Sequence, residues 1–109
     1  MTMLVKWSKH AHSQRMSIVR LIRRAQTHEI ASRWNNNIRQ AVQLLPPFPE
    51  LGNTIPEKCF WTLPPDFEHL RQTRCGSYRI VYEHVDGEIH ILAIMDCAML
   101  IRTHDTHWN

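Results

Sequence analysis

In the first part of the chain, a short apolar run is followed by two stretches in which apolar residues recur with the spacing of an α-helix. The run Leu4–Ser8 predicts a short strand. The first helical stripe predicts an amphipathic helix over about residues 11–26, and the second predicts a helix from an N-cap at Thr27 to the prolines Pro46-Pro47. The first stripe consists of Ile18, Leu21, Ile22 and Ala25, and the second of Ile30, Ala31, Trp34, Ile38, Ala41, Val42 and Leu45. Since almost no loop separates these helices, we expect an antiparallel hairpin.

The second half of the chain alternates with the period of strands. Three strands are predicted over residues 69–75, 78–85 and 88–95, and Asp86-Gly87 predicts a tight type I′ turn between the last two. Alternation assigns Tyr78, Ile80 and Tyr82 to the face under the helices, and Arg79, Val81 and Glu83 to the opposite face. In the last strand it separates two sets: Ile89, Ile91, Ala93 and Met95 on one face; His90, Leu92, Ile94 and Asp96 on the other. Both sets contain apolar residues, so we expect the second face to be partly covered, by the chain's own tail or by a partner chain.

Between the helices and the strands lies a stretch, residues 46–68, without a regular pattern. It holds all six prolines of the chain, and a loop of this length in a compact domain is either functional or an insertion. Phe48, Phe60 and Trp61 are expected to attach it to the core. Helices grouped ahead of a mostly antiparallel sheet predict a single α+β domain over residues 1–109.

Composition narrows the class of protein. The chain has 109 residues, 21% of them charged, with a net charge of +3 and a pI of about 9.0, which permits an acidic partner without requiring one. Cys59, Cys75 and Cys97 form no CxxC pair and no even framework, which indicates reduced thiols in a cytoplasmic protein. No segment has the pattern of a signal peptide or of a membrane span, so we expect no membrane partner.

Several motifs in order along the chain are similar to one family. They are VKWSKHA (5–11), Ala31, Trp34 and Ile38, LLPPFPELGNTIPE (44–57), LRQTRCGSYRIVYEHVDGEIHILAIMD (70–96) and AMLI (98–101). The chain thereby resembles the RelE/ParE superfamily of toxins from bacterial type II toxin–antitoxin systems, ParE-like more than RelE-like. The resemblance implies a helical hairpin on a twisted, mostly antiparallel sheet, and a role in plasmid stabilization or a stress response. It also implies neutralisation by a cognate acidic antitoxin, through which alone the toxin would reach operator DNA.

The resemblance implies one of two activities. RelE-like toxins cut messenger RNA in the ribosomal A site, with lysines, arginines and a tyrosine on an open sheet face, whereas ParE-like toxins inhibit DNA gyrase. Of the RelE-like set, only the strand arginine has a counterpart here, Arg79. Leu70 and Gln72 stand where two lysines would, Met99 stands at a later arginine, and no tyrosine follows Tyr82. Metal-free cleavage needs groups that carry protons, and a guanidinium does this poorly.

The candidate site residues follow from this comparison. If the chain is a nuclease, the catalytic candidates are Arg79 and Arg74, with a histidine near the C-terminus. The candidates for binding antitoxin or target are Arg71, Arg74, Arg79, His90 and Arg102. Alternatively, Arg79 is a structural residue paired with Glu83 or Glu88, or contacts the antitoxin, and His90 is an exposed or edge-strand histidine.

The basic residues of the first helix and two histidine pairs each have a structural interpretation and a functional one. The basic helix residues Arg15, Arg20, Arg23 and Arg24 form a solvated face or meet an acidic partner. The pairs His10-x-His12 and His104-x-x-His107 each offer two histidine ligands, which alone are a weak metal signal, so we expect no metal and no cofactor.

The favoured function is a ParE-like toxin that acts by binding, and DNA gyrase is the target that the resemblance implies. One alternative is a ribosome-dependent, metal-independent messenger RNA endonuclease of the RelE type. Another is a degenerate, non-toxic relative that only binds its antitoxin and represses the operon with it.

Overall fold

The computed structural model describes residues 3–108 and contains two helices and one five-stranded sheet. The elements in chain order are β1 (Leu4–Trp7), α1 (Lys9–Ala25), α2 (His28–Gln43), β2 (Asn53–Thr54), β3 (Arg71–Cys75), β4 (Tyr78–Val85) and β5 (Glu88–Asp96). Short 3₁₀ turns lie at Glu57–Cys59, Phe67–His69 and Thr103–Asp105. Within residues 3–108, no helix is both long enough and apolar enough to cross a bilayer.

The sheet has the strand order β1-β5-β4-β3-β2. β1 runs parallel to β5, and every other neighbouring pair is antiparallel. The helices pack on one face of this sheet, which confirms the α+β class with an N-terminal strand and a helical hairpin. The turn between β4 and β5 is also as predicted, since Asp86 and Gly87 both have positive φ, 50° and 75°.

Both helices begin at a hydroxyl cap. Ser8 Oγ accepts the amide N–H of Ala11 at 2.9 Å, so α1 begins at Lys9, two residues earlier than predicted. The same hydroxyl donates to the carbonyl of Leu92 at 3.0 Å and thereby fixes the start of α1 against β5. Thr27 caps α2 as predicted, and the helix ends at Gln43, ahead of the two prolines.

The core between the helices and the sheet depends more on α2 than on α1. It consists of Ala11, Ile38, Val42, Leu45, Ile80, Tyr82, Ile89, Ile91 and Ile94. The amphipathic helix predicted from the apolar stripe of α1 is present, but the second half of the stripe contributes little to the core, because Leu21 is 63% exposed and Ala25 is exposed. Trp34 is half-buried, with its ring edge-on to Tyr78 at 5.5 Å between centroids.

A β-bulge changes the faces of β5. Val81 pairs with Ala93 but Tyr82 pairs with Ile91, so Leu92 is an extra residue in the ladder. Ile91 and Ile94 therefore both face the helices, while Leu92, Ala93 and Met95 face away. The alternation predicted for this strand holds through Leu92 and is wrong from Ala93 onward, because one inserted residue shifts each later side chain to the other face.

The face away from the helices, which we call the second face, is closed by the chain itself. Its cluster consists of Ile55, Phe60, Leu70, Val81, Leu92, Ala93, Met95 and Ile101. A parallel bridge joins Phe60 to Ile101: the amide of Ile101 donates to Cys59 O, and that of Trp61 donates to Ile101 O, both at 2.8 Å. Of the two covers considered from the sequence, the chain's own loop and tail supply this one.

The long loop contributes differently from the prediction. Phe60 is buried under the second face, but Phe48 and Trp61 are mostly exposed, so their expected attachment to the core is wrong. The loop is also less irregular than its sequence pattern indicates, because β2 pairs with β3 and two 3₁₀ turns lie within it. β3 itself begins at Arg71, since the predicted start at His69 lies in the second of these turns.

Candidate functional site

Arg79 lies on β4, and its side chain is on the second face, where it is only 5% exposed. Its Nη2 donates to the carbonyl of Cys97 at 2.6 Å, and its Nη1 donates to Gln72 Oε1 at 3.0 Å. The expected pairing with Glu83 or Glu88 is therefore wrong. The side chain instead connects β3 to the segment that follows β5.

Arg74 stands directly opposite Arg79 in the β3–β4 ladder. Residues paired in this way point to the same face, so the two guanidinium groups are neighbours on the second face. Arg74 is exposed, unlike Arg79. Within residues 3–108, no other two candidate residues are directly paired between neighbouring strands.

Arg71 points to the helix side of β3, opposite Tyr82. Its Nη1 donates to the carbonyl of Gly52 at 2.7 Å. The Tyr82 hydroxyl accepts the Gly52 amide at 2.9 Å and donates to the carbonyl of Pro49 at 2.8 Å. Burial raises the pKa of Tyr82, and the Gly52 amide and the Arg71 charge partly oppose that rise. Arg71 thus helps to hold the loop around Gly52.

His90 lies on the second face, toward the far end of β4 and β5. Its partner in the ladder is Glu83, which is four residues along β4 from Arg79, or about 13 Å. The imidazole Nε2 is 3.0 Å from Glu88 Oε1, Nδ1 is 3.5 Å from Glu83 Oε1, and the ring stacks on Trp108 with 4.2 Å between centroids. β5 is an interior strand and the side chain is half-buried, so the interpretation as an exposed or edge-strand histidine is wrong.

The two carboxylates beside His90 also contact other basic side chains. Glu88 contacts Lys6 Nζ at 3.0 Å, and the hydrogen bonds from His90 and then from Lys6 lower the pKa of this carboxyl. Glu83 Oε2 is 2.8 Å from His69 Nε2. The result is a small network of carboxylates, imidazoles and one lysine that connects β1, β5 and β4 and also holds the 3₁₀ turn before β3.

Arg102 lies in the tail after β5 and is exposed. Its guanidinium carbon lies 4.9 Å from the centroid of the Trp61 ring, a cation–π contact that attaches the tail to the long loop. The five candidate residues therefore fall in four places, and only Arg74 and Arg79 are brought together. The structure places no other candidate beside this pair, and its assignment as a catalytic pair stays a prediction.

A groove of about 700 Å³ was missed by the sequence interpretation. It runs between α1 and the end of β5 with the tail, and we call it the α1 groove. Ile18, Leu21, Tyr78, Met99 and Leu100 supply its apolar lining, and Leu21 and Met99 are 63% and 57% exposed. The signal was present in the sequence, because Leu21 belongs to the apolar stripe of α1, but the spacing of that stripe does not distinguish a core face from a groove.

The basic residues of α1 have two environments. Arg20, Arg23 and Arg24 are exposed, as a solvated face requires. Arg15 is half-buried, and its guanidinium carbon lies 4.6 Å from the centroid of the Trp7 ring. Only the first three are therefore free to meet a partner along the outer surface of the helix.

Comparisons with known proteins agree with this architecture. A family model described as the ParE toxin of the type II toxin–antitoxin system, parDE, matches residues 5–101. A chain in a solved structure described as the chromosomal ParDE TA system from P. aeruginosa superposes with a TM-score of 0.69. The match covers 87% of this chain and 96% of that chain at 18% identity, a likeness that shows the fold. A search of curated proteins gave no match.

Proposed function

Because the chain belongs to the ParE toxin family of type II toxin–antitoxin systems, we propose that it acts by binding a target protein rather than by cleaving RNA. DNA gyrase is the target that we propose, and a cognate acidic antitoxin would neutralise the toxin. The nuclease alternative requires an open sheet face with free phosphate-binding groups. The binding alternative requires only a stable surface, which a closed, well-packed domain provides.

The closed second face is the observation that carries this proposal. The side of the sheet on which a RelE-like enzyme would hold RNA is covered here by the long loop and the tail, through Phe60 and Ile101. Arg79 is buried beneath this cover. Two of its N–H donors already bind Gln72 and the Cys97 carbonyl. A phosphate would have to pass this cover and compete with these two hydrogen bonds, each of which contributes about 1.5–3 kcal/mol.

The acid–base chemistry supports the same conclusion. His69 and His90 lie on the second face, and both contact Glu83, four residues along β4 from Arg79. A general base must stand within hydrogen-bond reach of the proton that it removes, about 3 Å. At about 13 Å along the strand, neither histidine could serve a phosphate bound at Arg79.

The α1 groove is the surface that we propose for the antitoxin. Its apolar floor accepts large side chains, since Leu21 and Met99 are exposed. Arg20 and Arg24 lie within one turn of Leu21 on the same helix and add positive charge beside it. An acidic amphipathic segment would match both features, with apolar residues on the floor and carboxylates at the arginines.

The gyrase proposal is tested with the purified chain in a supercoiling assay. We expect loss of gyrase supercoiling, while messenger RNA mapped after induction in bacteria stays intact. Cleavage of messages at A-site codons would overturn the proposal in favour of the nuclease. No growth defect, together with tight antitoxin binding, would also overturn it and indicate the degenerate relative.

The antitoxin surface is tested with the product of a neighbouring short acidic reading frame. Leu21→Asp removes an apolar contact from the groove floor and adds a like charge near the carboxylates expected at the arginines, so it should weaken binding strongly. Met16→Asp is the matched control, because Met16 is also an exposed apolar residue of α1 but does not line the groove. Binding should also weaken as salt rises, because exposed ion pairs are screened. Equal effects of the two variants would refute the placement.

A further inference from the structure

Two histidines and a carboxylate meet where the tail crosses the beginning of α1. His10 lies in the first turn of α1, and His104 and Asp105 belong to the 3₁₀ turn Thr103–Asp105. His10 Nε2 is 2.6 Å from Asp105 Oδ1, and His104 Nε2 is 3.6 Å from the same oxygen. One possible ligand atom from each residue lies within 4.8 Å of the other two.

We propose that His10, His104 and Asp105 form a binding site for a transition-metal dication of the Zn²⁺ class. Imidazole nitrogens and a carboxylate oxygen are a donor set that Zn²⁺ accepts, and three protein ligands leave a fourth position for water. The two sequence pairs HxH and HxxH were each incomplete. The fold takes one histidine from each pair and brings both to Asp105, which directly follows His104 in the sequence.

The spacing suits tetrahedral coordination after small movements. Ligand atoms about 2.0–2.1 Å from Zn²⁺ lie about 3.4 Å from each other. The His104–Asp105 distance of 3.6 Å is already close to this value, and the His10–Asp105 distance of 2.6 Å must lengthen by under about 1 Å. The ligand atoms of His10 and His104 lie within 4.8 Å of each other and must approach by under about 1.5 Å. The His104 side chain is largely exposed and free to adjust. Metal binding would replace the hydrogen bond between His10 and Asp105, and a neutral His10 would ligate through Nε2 with its N–H on Nδ1.

Asp105 is held in place by groups that do not bind the metal. It is 3% exposed, and its Oδ2 accepts the amide N–H of Arg102 at 2.9 Å. Gln14, one turn after His10 on α1, donates to Oδ1 at 3.4 Å. Hydrogen bonds to a ligating carboxylate fix its orientation and are typical of metal sites. The buried carboxylate is thus ready to bind a cation at low cost in reorganisation.

Coordination would join two distant parts of the chain. His10 and Asp105 are 95 positions apart, so a metal bound to both closes a long loop and disfavours the unfolded chain. The site also lies at the rim of the α1 groove, which His10, His104 and Asp105 help to line. A bound metal would hold the tail in the position in which it forms that rim. Zn²⁺ binding at this site does not depend on the proposed function.

The test is isothermal titration of the tag-free, metal-stripped chain with Zn²⁺. We expect one equivalent to bind, and His104→Ala to weaken the affinity at least about tenfold, as expected when one of three ligands is lost. His104 is exposed, so this variant should fold. His107→Ala is the matched control, since His107 is also exposed, lies three residues away and is not part of the cluster. It should change the affinity less than about twofold.

Two further measurements separate this site from binding by cysteine. Bound Co²⁺ should give the visible absorption of a tetrahedral centre without a thiolate charge-transfer band. At a free Zn²⁺ concentration one hundred times the dissociation constant, the folding equilibrium should shift about 100-fold toward the native state. Absence of one-equivalent binding, a thiolate band, or equal affinity in His104→Ala would each overturn the proposal.

Discussion

Replacing Arg79 by alanine distinguishes a structural arginine from a free phosphate-binding one. The side chain faces away from the helices, which from the sequence alone predicts that its removal leaves the fold intact. The structure predicts a different outcome, because the guanidinium is buried and joins Gln72 on β3 to the Cys97 carbonyl after β5. We expect Arg79→Ala to fold but to lose a large share of its stability.

The magnitude follows from three contributions. Two hydrogen bonds from a charged donor are lost, at about 1.5–3 kcal/mol each. The Cys97 carbonyl loses its partner, which adds a desolvation cost of about 1 kcal/mol or more. Against these, the variant no longer has to bury a guanidinium whose Nε has no partner in residues 3–108, which returns several kcal/mol. The net loss in the free energy of unfolding should be about 2–4 kcal/mol.

The assay is urea denaturation of Arg79→Ala beside Arg74→Ala. Arg74 is the matched control, because it is the same residue type directly opposite in the ladder but exposed. We expect Arg74→Ala to change the unfolding free energy by under about 0.5 kcal/mol. Arg79→Lys should lie between wild type and alanine, since one ammonium cannot replace both arms of the guanidinium. Equal stabilities for Arg79→Ala and Arg74→Ala would refute the structural role.

Three further predictions concern buried or half-buried aromatic residues. Tyr82→Phe keeps the ring but leaves the Gly52 amide unpaired, so thermal unfolding should show a loss of about 1.5–3 kcal/mol, and a change under about 0.5 kcal/mol would contradict the hydrogen bond. Trp34→Ala should cost about 2 kcal/mol in the same assay, less than the roughly 3–5 kcal/mol of a fully buried aromatic, because Trp34 is half-buried against Tyr78. Burial raises the pKa of Tyr78 and of Tyr82, so their contribution to stability is complete below the unfolded phenol pKa of about 10 and is lost as pH rises through the folded values. Urea denaturation between pH 8 and pH 11 should show this decline, and a double Phe variant should flatten it.

The parts of the fold that the sequence predicted are those governed by local rules. The α2 cap at Thr27 and the Asp86-Gly87 turn depend on neighbouring residues, and both were predicted correctly. The bulge at Leu92 has no local signature, because the residues around it are apolar in either register. The exposure of Leu21 was equally hidden, since an apolar stripe has the same spacing whether it covers a core or lines a groove.

The candidate site was harder to predict because its members depend on long-range packing. Alternation placed Arg79 on the correct face but could not show that Phe60 and Ile101 cover that face. The cover comes from a proline-rich loop and a tail, and neither has a period from which its position follows. The cluster of His10 with Asp105 was invisible for the same reason, since those residues are 95 positions apart.

At the three positions where a RelE-like nuclease would carry lysine or arginine, this chain has residues that fit a closed second face or line the α1 groove. Leu70 is buried in the cluster that closes the second face, and Gln72 accepts a hydrogen bond from Arg79. Met99 is exposed and lines the α1 groove. A lysine at 70 would place an unpaired charge under the cover, and a lysine at 72 would set a donor against the Arg79 guanidinium. The residues present therefore fit a closed face around Arg79, which supports the proposal of binding over cleavage.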